Sequence, residues 1–459
     1  MVESYDAIVI GTGQAGPPLA VRLAGAGKKV AILERKLFGG TCVNVGCIPT
    51  KTLIASARTA HVTRHAAAYG VAVGGEIRVD MQAVKARKDA VVHESSQGVA
   101  DWLRGAPGIT VIEGHGRFEN ARQVRVGERL LEAPQIFINT GGRPAVPEMP
   151  GVQSVPFWTS SDMMQVDFLP EHLIIVGGSY IGLEFAQMYR RFGSRVTVIE
   201  MAPRLVGRED TEISAAIQSM LEAEGIAFRL NAKCVSFTRQ GDGVAINVSC
   251  EEEPREISGS HLLLAVGRSP NTGDLGLERA GIKTDARGYI PVDDALQTGV
   301  PGIWALGDVN GRGAFTHTSY NDYEIVAANL LDGDTRRVTD RIPAYALFTD
   351  PPLGRAGMTE QQVRASGRPA LIGTRAMSRV GRARERGETQ GMMKILVDAE
   401  SKLILGAALL GIEGDEAIHS ILDIMYARAP YTVIQRAMHI HPTVTELIPT
   451  MLDELRPLA

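Results

Sequence analysis

Four short apolar runs mark out the first half of the chain. "YDAIVI" (5–10), "KVAILE" (29–34), "HLIIVG" (172–177) and "RVTVIE" (195–200) are rich in Ile and Val. Runs of this length predict parallel strands buried on both faces. Within each pair, small and apolar residues recur at helical spacing. Each pair therefore predicts a strand, a tight turn, a helix and a second strand.

The first turn is "GTGQAG", residues 11–16. Gly11 allows the tight turn, Gly13 lets the backbone approach a pyrophosphate, and Gly16 lets helix and sheet pack closely. The pyrophosphate then lies at the positive helix N-terminus. Pro17 and Pro18 fall in the first helical turn, where proline is tolerated. Glu34 ends the second strand, where a carboxylate accepts hydrogen bonds from ribose hydroxyls. The pattern returns at an offset of 166 residues: Gly177, Ser179, Gly182, Ala186, Gly193, Val196 and Glu200. Two copies in the same context, each ending in Glu, predict two dinucleotide sites. Ser179 stands where the middle glycine would be, which weakens the second pyrophosphate contact. Arg190 replaces an alanine, which predicts looser helix packing there.

Further segments extend this to an α/β fold of two Rossmann-like domains and a third α/β domain. "IFINTGGRPAVPEMPG" ends a strand at Gly141 and then turns Pro-rich, as a linker does. "LLLAVGRSPN" repeats the idea around Gly267, and "GIWALGD" places Asp308 at a strand C-terminus, where open α/β sheets bind ligands. Residues 343–459 lack a dinucleotide fingerprint and mix strand-like runs ("MKILV", "LILGAALLG") with a helical stretch, "EAIHSILDIMYARA".

A net charge of -4 argues against nucleic acid as a partner. The one basic stretch, "TRAMSRVGRARERGE" (374–388), reads as a solvated surface loop. No apolar run approaches the ~18 residues of a membrane span. Acidic residues stand where a signal peptide would be basic, so the cytoplasm is the expected compartment. A lasting structural disulfide is not expected there.

Two of the four cysteines lie in "GGTCVNVGCIPTK" (39–51). Zinc needs about four ligands, and the remaining Cys234 and Cys250 fall in strand-like segments, so no structural metal is expected. His61 and His65 have ligand spacing but no third partner in sequence. On one ideal helix, Cys42 and Cys47 would lie about 8–9 Å apart, beyond the ~7 Å limit of a disulfide. A bond between them requires a distorted first turn, for which Gly46 supplies freedom. Pro49 places the pair near a helix start, where a thiolate is stabilised. Such a disulfide is labile rather than structural. Two dinucleotide sites beside a redox-active pair imply a relay, with NAD(P)H as hydride source and FAD passing electrons to the disulfide.

These segments resemble the FAD-dependent pyridine nucleotide–disulfide oxidoreductases, class I, over nearly the full length. "GGTCVNVGCIPTK" carries the resemblance, with "GTGQAG", "GGSYIGLE", "AVGRSPN", "ALGD" and "HPTVTE" in order. It implies an FAD domain at 1–148 and 269–342, an NAD(P) domain at 149–268 and a dimerisation domain at 343–459. It implies that Cys47 faces the flavin and Cys42 the substrate. Lys51 would lie near flavin N5, paired with Glu184. Tyr180 would gate the nicotinamide pocket, Glu34 bind the adenosine ribose and Asp308 the ribityl chain. His441 and Glu446 would form an acid–base dyad reaching Cys42 of the other subunit of a homodimer.

Within the family the chain is most similar to the mercuric reductase-like branch, which includes copper(II) reductases. It has no cysteine after Cys250, so the vicinal C-terminal pair of true mercuric reductases is missing, as is their N-terminal metal-binding domain. The expected acceptor is a small oxidant, Hg(II) or Cu(II), with substrate metal at Cys42 and Cys47. The alternatives are a disulfide reductase such as dihydrolipoamide dehydrogenase, and a nucleotide-binding sensor without turnover. Glu200 would repel a 2′-phosphate, so NADH is expected over NADPH; Arg204 is the residue able to reverse this.

Overall fold

The computed structural model describes residues 1–233, 235–248 and 255–458, so Cys234 and Cys250 lie outside the described residues. Each glycine-ended apolar run becomes the central strand of a five-stranded parallel sheet. In the first sheet Ala7–Ile10 lies between Val30–Glu34 and Gln135–Ile138, with Ile109–Glu113 and Ile303–Ala305 at the edges. In the second, His172–Val176 lies between Arg195–Ile199 and His261–Leu264, with Ala227–Arg229 and Trp158–Thr159 outside. Both central strands are fully buried, as runs without polar alternation require. Each unit also carries a three-stranded antiparallel excursion, at 116–132 in the first and 235–259 in the second.

The helix after the first glycine turn starts at Gly16, which puts Pro17 and Pro18 in its first turn as the sequence predicts, and the second starts at Tyr180. Backbone closeness and a positive φ (+105° at Gly11, +115° at Gly177) both require the glycines. A Cβ on Gly11 would stand 2.4 Å from the Asn139 carbonyl oxygen, and one on Gly177 would stand 2.4 Å from that of Ala265. Arg190 does not leave its helix loose: its Nε donates to the Glu224 carbonyl at 2.8 Å.

The C-terminal region is a six-stranded antiparallel sheet covered by the helix Gly414–Tyr426. The basic stretch 374–388 is not the solvated loop expected from its charge. It ends the strand Ala370–Ala376, makes a short turn over Met377–Arg379 and forms the helix Gly381–Glu385. Met377, Val380 and Ala383 recur every third residue and are buried, while the arginines between them are left at the rim.

A buried ionic cluster fastens this sheet to the second dinucleotide unit. Arg355, 1% exposed, donates to Glu209 at 2.7 Å and to Asp210 at 2.9 Å. Lys394 lies 3.3 Å from Asp210 and also pairs with Glu212 and Glu360. Removing one partner leaves the others as uncompensated buried charge. Arg355→Met is therefore expected to cost about 3–5 kcal/mol of stability. A denaturant titration followed by tryptophan fluorescence checks this, and a loss well under 1 kcal/mol would contradict the cluster's role.

Candidate functional site

The cysteine segment is built against the first glycine turn. Gly40 packs so closely on Gly13 that a Cβ there would stand 3.0 Å from the Gly13 Cα. Cys42 lies in a short helix, Gly40–Asn44, and Cys47 begins the long helix Cys47–Arg64. The spacing of a single ideal helix thus does not apply, because the chain breaks at Val45 and Gly46. A Cβ on Gly46 would stand 2.8 Å from the Thr41 carbonyl oxygen and 3.2 Å from the Cys42 Cα. Glycine at this position lets the two segments close on each other, so that the two thiols influence one another's ionisation.

That contact divides the pair. Interaction with the Cys42 thiol lowers the Cys47 pKa to about 6, against the effect of burial, with help from Thr316 and the charge of Lys51. The hydroxyl Oγ1 of Thr316 lies 3.2 Å from the Cys47 Sγ. The Cys42 thiol is pushed well above its ordinary range by the same contact with Cys47 and by burial. One proton therefore rests on Cys42 while Cys47 is a thiolate near neutral pH.

Lys51, one turn along the helix from Cys47, donates from Nζ to the buried Glu184 at 2.7 Å and lies 4.5 Å from the centre of the Phe348 ring. Glu184 also accepts from the backbone N–H of Phe348 at 3.1 Å. Glu34 accepts from the Thr12 backbone N–H at 3.1 Å, and Glu200 accepts from Gly178 at 2.6 Å, which repeats the arrangement in the second unit. Asn139 joins three segments: its Oδ1 accepts from the Gly16 N–H at 3.0 Å and its Nδ2 donates to the Leu306 carbonyl at 2.8 Å. Beside it, burial pushes the Asp308 carboxyl up, and Arg268 opposes this from 3.4 Å. The backbone turns left-handed at Gly141 (φ +64°) and Gly267 (φ +122°), and Ser179 is exposed at the start of its helix.

Tyr180 is held more firmly than a lone gate. Its hydroxyl donates to Glu209 at 3.0 Å, as does that of Tyr345 at 2.6 Å, and its ring meets Tyr345 and Phe315 edge-on. His441 Nδ1 lies 2.9 Å from Glu446 Oε2, with His441 79% exposed. Among the described residues no hydrogen bond or ion pair joins this dyad to Cys42 or Cys47 of its own chain. The rings of His61 and His65 lie 4.2 Å apart, tilted by 33°, and no group of three metal-ligating side chains includes them among the described residues. Sequence reading missed Asn139, Thr316, Glu209, Tyr345 and Phe348.

The model for the pyridine nucleotide-disulphide oxidoreductases matches residues 5–322, and that for their dimerisation domain matches 343–452. The chain belongs to this family. It is 37% identical over 454 residues to the probable pyridine nucleotide-disulfide oxidoreductase RclA of Escherichia coli, covering 97% of this chain and 98% of that one. It is 32% identical over 449 residues to a mercuric reductase of Streptomyces lividans (97% and 94% covered) and 34% identical over 452 residues to a dihydrolipoyl dehydrogenase of Thermus scotoductus (97% and 96%). A solved structure described as the Cu(II) complex of the HOCl-induced flavoprotein disulfide reductase RclA from Escherichia coli superposes with a TM-score of 0.90 at 36% identity, covering 98% and 99% of the two chains.

The protein is therefore a pyridine nucleotide-disulphide oxidoreductase, a flavoenzyme that uses FAD and NAD(P)H. The residues present fit both dinucleotides: the glycines of each turn have no room for a side chain, the turn opens on a helix N-terminus, and a carboxylate is fixed beside it. Among the described residues no helix is long and apolar enough to cross a membrane.

In the reduced enzyme, the rate of Cys47 alkylation by iodoacetamide should rise with pH through a midpoint near 6, because the lowered pKa supplies thiolate above that pH and not below it. Lys51→Met should move the midpoint up by about one pH unit. An unmoved midpoint would remove Lys51 from the thiolate's support.

Proposed function

We propose that the enzyme passes electrons from NAD(P)H through FAD to the Cys42–Cys47 disulfide, and from the resulting dithiol to a small oxidant, a metal ion such as Cu(II) or Hg(II). The observation that carries this reading is the polarised pair, with its thiolate beside Thr316 and the Lys51–Glu184 ion pair. FAD, when bound, converts the two-electron hydride of the nicotinamide into electrons that the disulfide accepts.

The residues then have separate tasks. Glu34, Asp308 and the turn of Gly11, Gly13, Gly16 and Gly141 hold FAD. Gly177, Ser179, Gly182, Gly267 and Glu200 hold the nicotinamide dinucleotide, with Tyr180 at its mouth. Lys51 keeps Cys47 ionised and Glu184 keeps Lys51 in place. Cys42 holds the proton until the acceptor arrives. The chain works as a homodimer, and the partner's His441, oriented by the partner's Glu446, takes that proton. With Cu(II), two ions each gain one electron, the Cys42–Cys47 bond re-forms and the one proton held on Cys42 leaves. The E. coli relative described with Cu(II) supports this acceptor.

The His441–Glu446 contact favours a second reading, a disulfide acceptor, because thiol–disulfide exchange requires a proton donor for the leaving thiolate. The acceptor becomes two thiols while the enzyme disulfide re-forms. NADH oxidation by the FAD-loaded enzyme with Cu(II), Hg(II), lipoamide and glutathione disulfide distinguishes the readings. Faster turnover with the metal ions, abolished by Cys42→Ser, is the expected result; turnover with disulfides alone would overturn the metal reading.

NADH is the proposed donor. The Glu200 carboxylate is fixed by the N–H groups of Gly178 and Ala202, at 2.6 and 2.8 Å. Arg204 is engaged elsewhere, donating to Thr211 Oγ1 at 2.7 Å and to the Gly207 carbonyl at 3.0 Å. The kcat/KM for NADH should exceed that for NADPH, and Glu200→Ser should narrow the gap. A preference for NADPH would contradict this assignment.

A further inference from the structure

The basic stretch 374–388 has one feature that a surface strand and helix do not need. Arg375 is 9% exposed, yet its Nε and Nη1 have no hydrogen-bond acceptor among the described residues. Its single hydrogen bond runs from Nη2 to the Arg379 carbonyl at 3.3 Å, and Glu454 stands off at 3.8 Å. A buried guanidinium with open donors is costly, and such groups mark places where an acceptor binds.

Arg375 lines an open cavity of about 550 Å³ together with Arg379, Arg384 and His439. The same cavity is lined by His441 and Glu446. Glu446 is engaged with His441, and Glu454 makes only a long ion pair with Arg375 Nη1 at 3.8 Å and lies 4.0 Å from Arg379, so neither hydrogen-bonds the buried donors of Arg375. The balance of charge is positive, and the planar fork of Arg375 suits a two-oxygen anion.

We propose that this cavity is a carboxylate-binding subsite for the electron acceptor, with Arg375 as its buried anchor and Arg379 at its rim. The proposal rests on the reading that His441 and Glu446 serve the acceptor, since the anion would be held beside them. Two sources share the chemistry: carboxylates on a disulfide acceptor, and carboxylates chelating a metal ion.

Two matched pairs of acceptors separate the sources with the FAD-loaded dimer: dithiodiglycolate against hydroxyethyl disulfide, and copper(II) citrate against copper(II) ethylenediamine. In the wild type the anionic member of one pair should have the higher kcat/KM. In Arg375→Gln that preference should fall by about tenfold or more. The pair that responds identifies the source. Arg379→Gln, at a side chain 63% exposed, should reduce the same preference without risk to folding. Unchanged preferences in both variants would overturn the subsite. A dimer that dissociates in Arg375→Gln, with preferences intact in Arg379→Gln, would also overturn it and place a partner-subunit carboxylate in the cavity.

Citrate binding by calorimetry keeps this result separate from the proposed function. If the wild type reduces none of the four acceptors, the acceptor reading fails. Citrate binding that is lost in both variants would still support the subsite, and its absence from the wild type would overturn it.

Discussion

The close approach of two thiols governs the site. It leaves the proton on Cys42 and the charge on Cys47, so two identical side chains have different chemistry. The difference requires closeness, and closeness requires the chain to break between two helices where Gly46 has no side chain to collide with Thr41 and Cys42. Were the segment one continuous helix, the two cysteines would be too distant for a disulfide. The surrounding charges then act on an asymmetry already present: Lys51 favours the thiolate and Glu184 opposes it while holding Lys51 in position.

The scaffold repeats one solution twice. A central buried strand ends in glycine, the chain turns under a neighbouring backbone, and the helix begins behind it. The neighbouring strand ends in a carboxylate fixed by an N–H of the turn. Gly40 against Gly13 then attaches the cysteine segment to the first of these turns. The dithiol and the two turns that would hold cofactor and electron donor thus lie at the ends of strands, where an open parallel sheet offers its binding crevice. Burial of Arg355 with Glu209 and Asp210 fixes the third region to the second unit, and Glu209 carries this attachment on to Tyr180.

Local features were legible in the sequence. The 166-residue repeat gave both parallel sheets their central strands and glycine turns, because apolar runs and turn glycines act over a few residues. The pairings of Lys51 with Glu184 and of His441 with Glu446 came from family resemblance, and the structure places each pair in contact. Asn139, Thr316 and Glu209 were not legible, since each acts on a group far away in the chain and leaves no periodic mark. The stretch 374–388 was misread for a different reason. Its arginines dominated the charge pattern, and the three-residue recurrence of Met377, Val380 and Ala383 beneath them was overlooked.

The central claim is that Cys47 is the thiolate turned to the flavin and Cys42 the thiol turned to the acceptor. The visible absorbance spectra of FAD-loaded Cys42→Ser and Cys47→Ser test it most directly. The account predicts that Cys42→Ser shows a long-wavelength charge-transfer band that fades as pH is lowered, and that Cys47→Ser binds FAD but lacks the band after two-electron reduction. A band that persists in Cys47→Ser and is missing from Cys42→Ser would contradict the assignment.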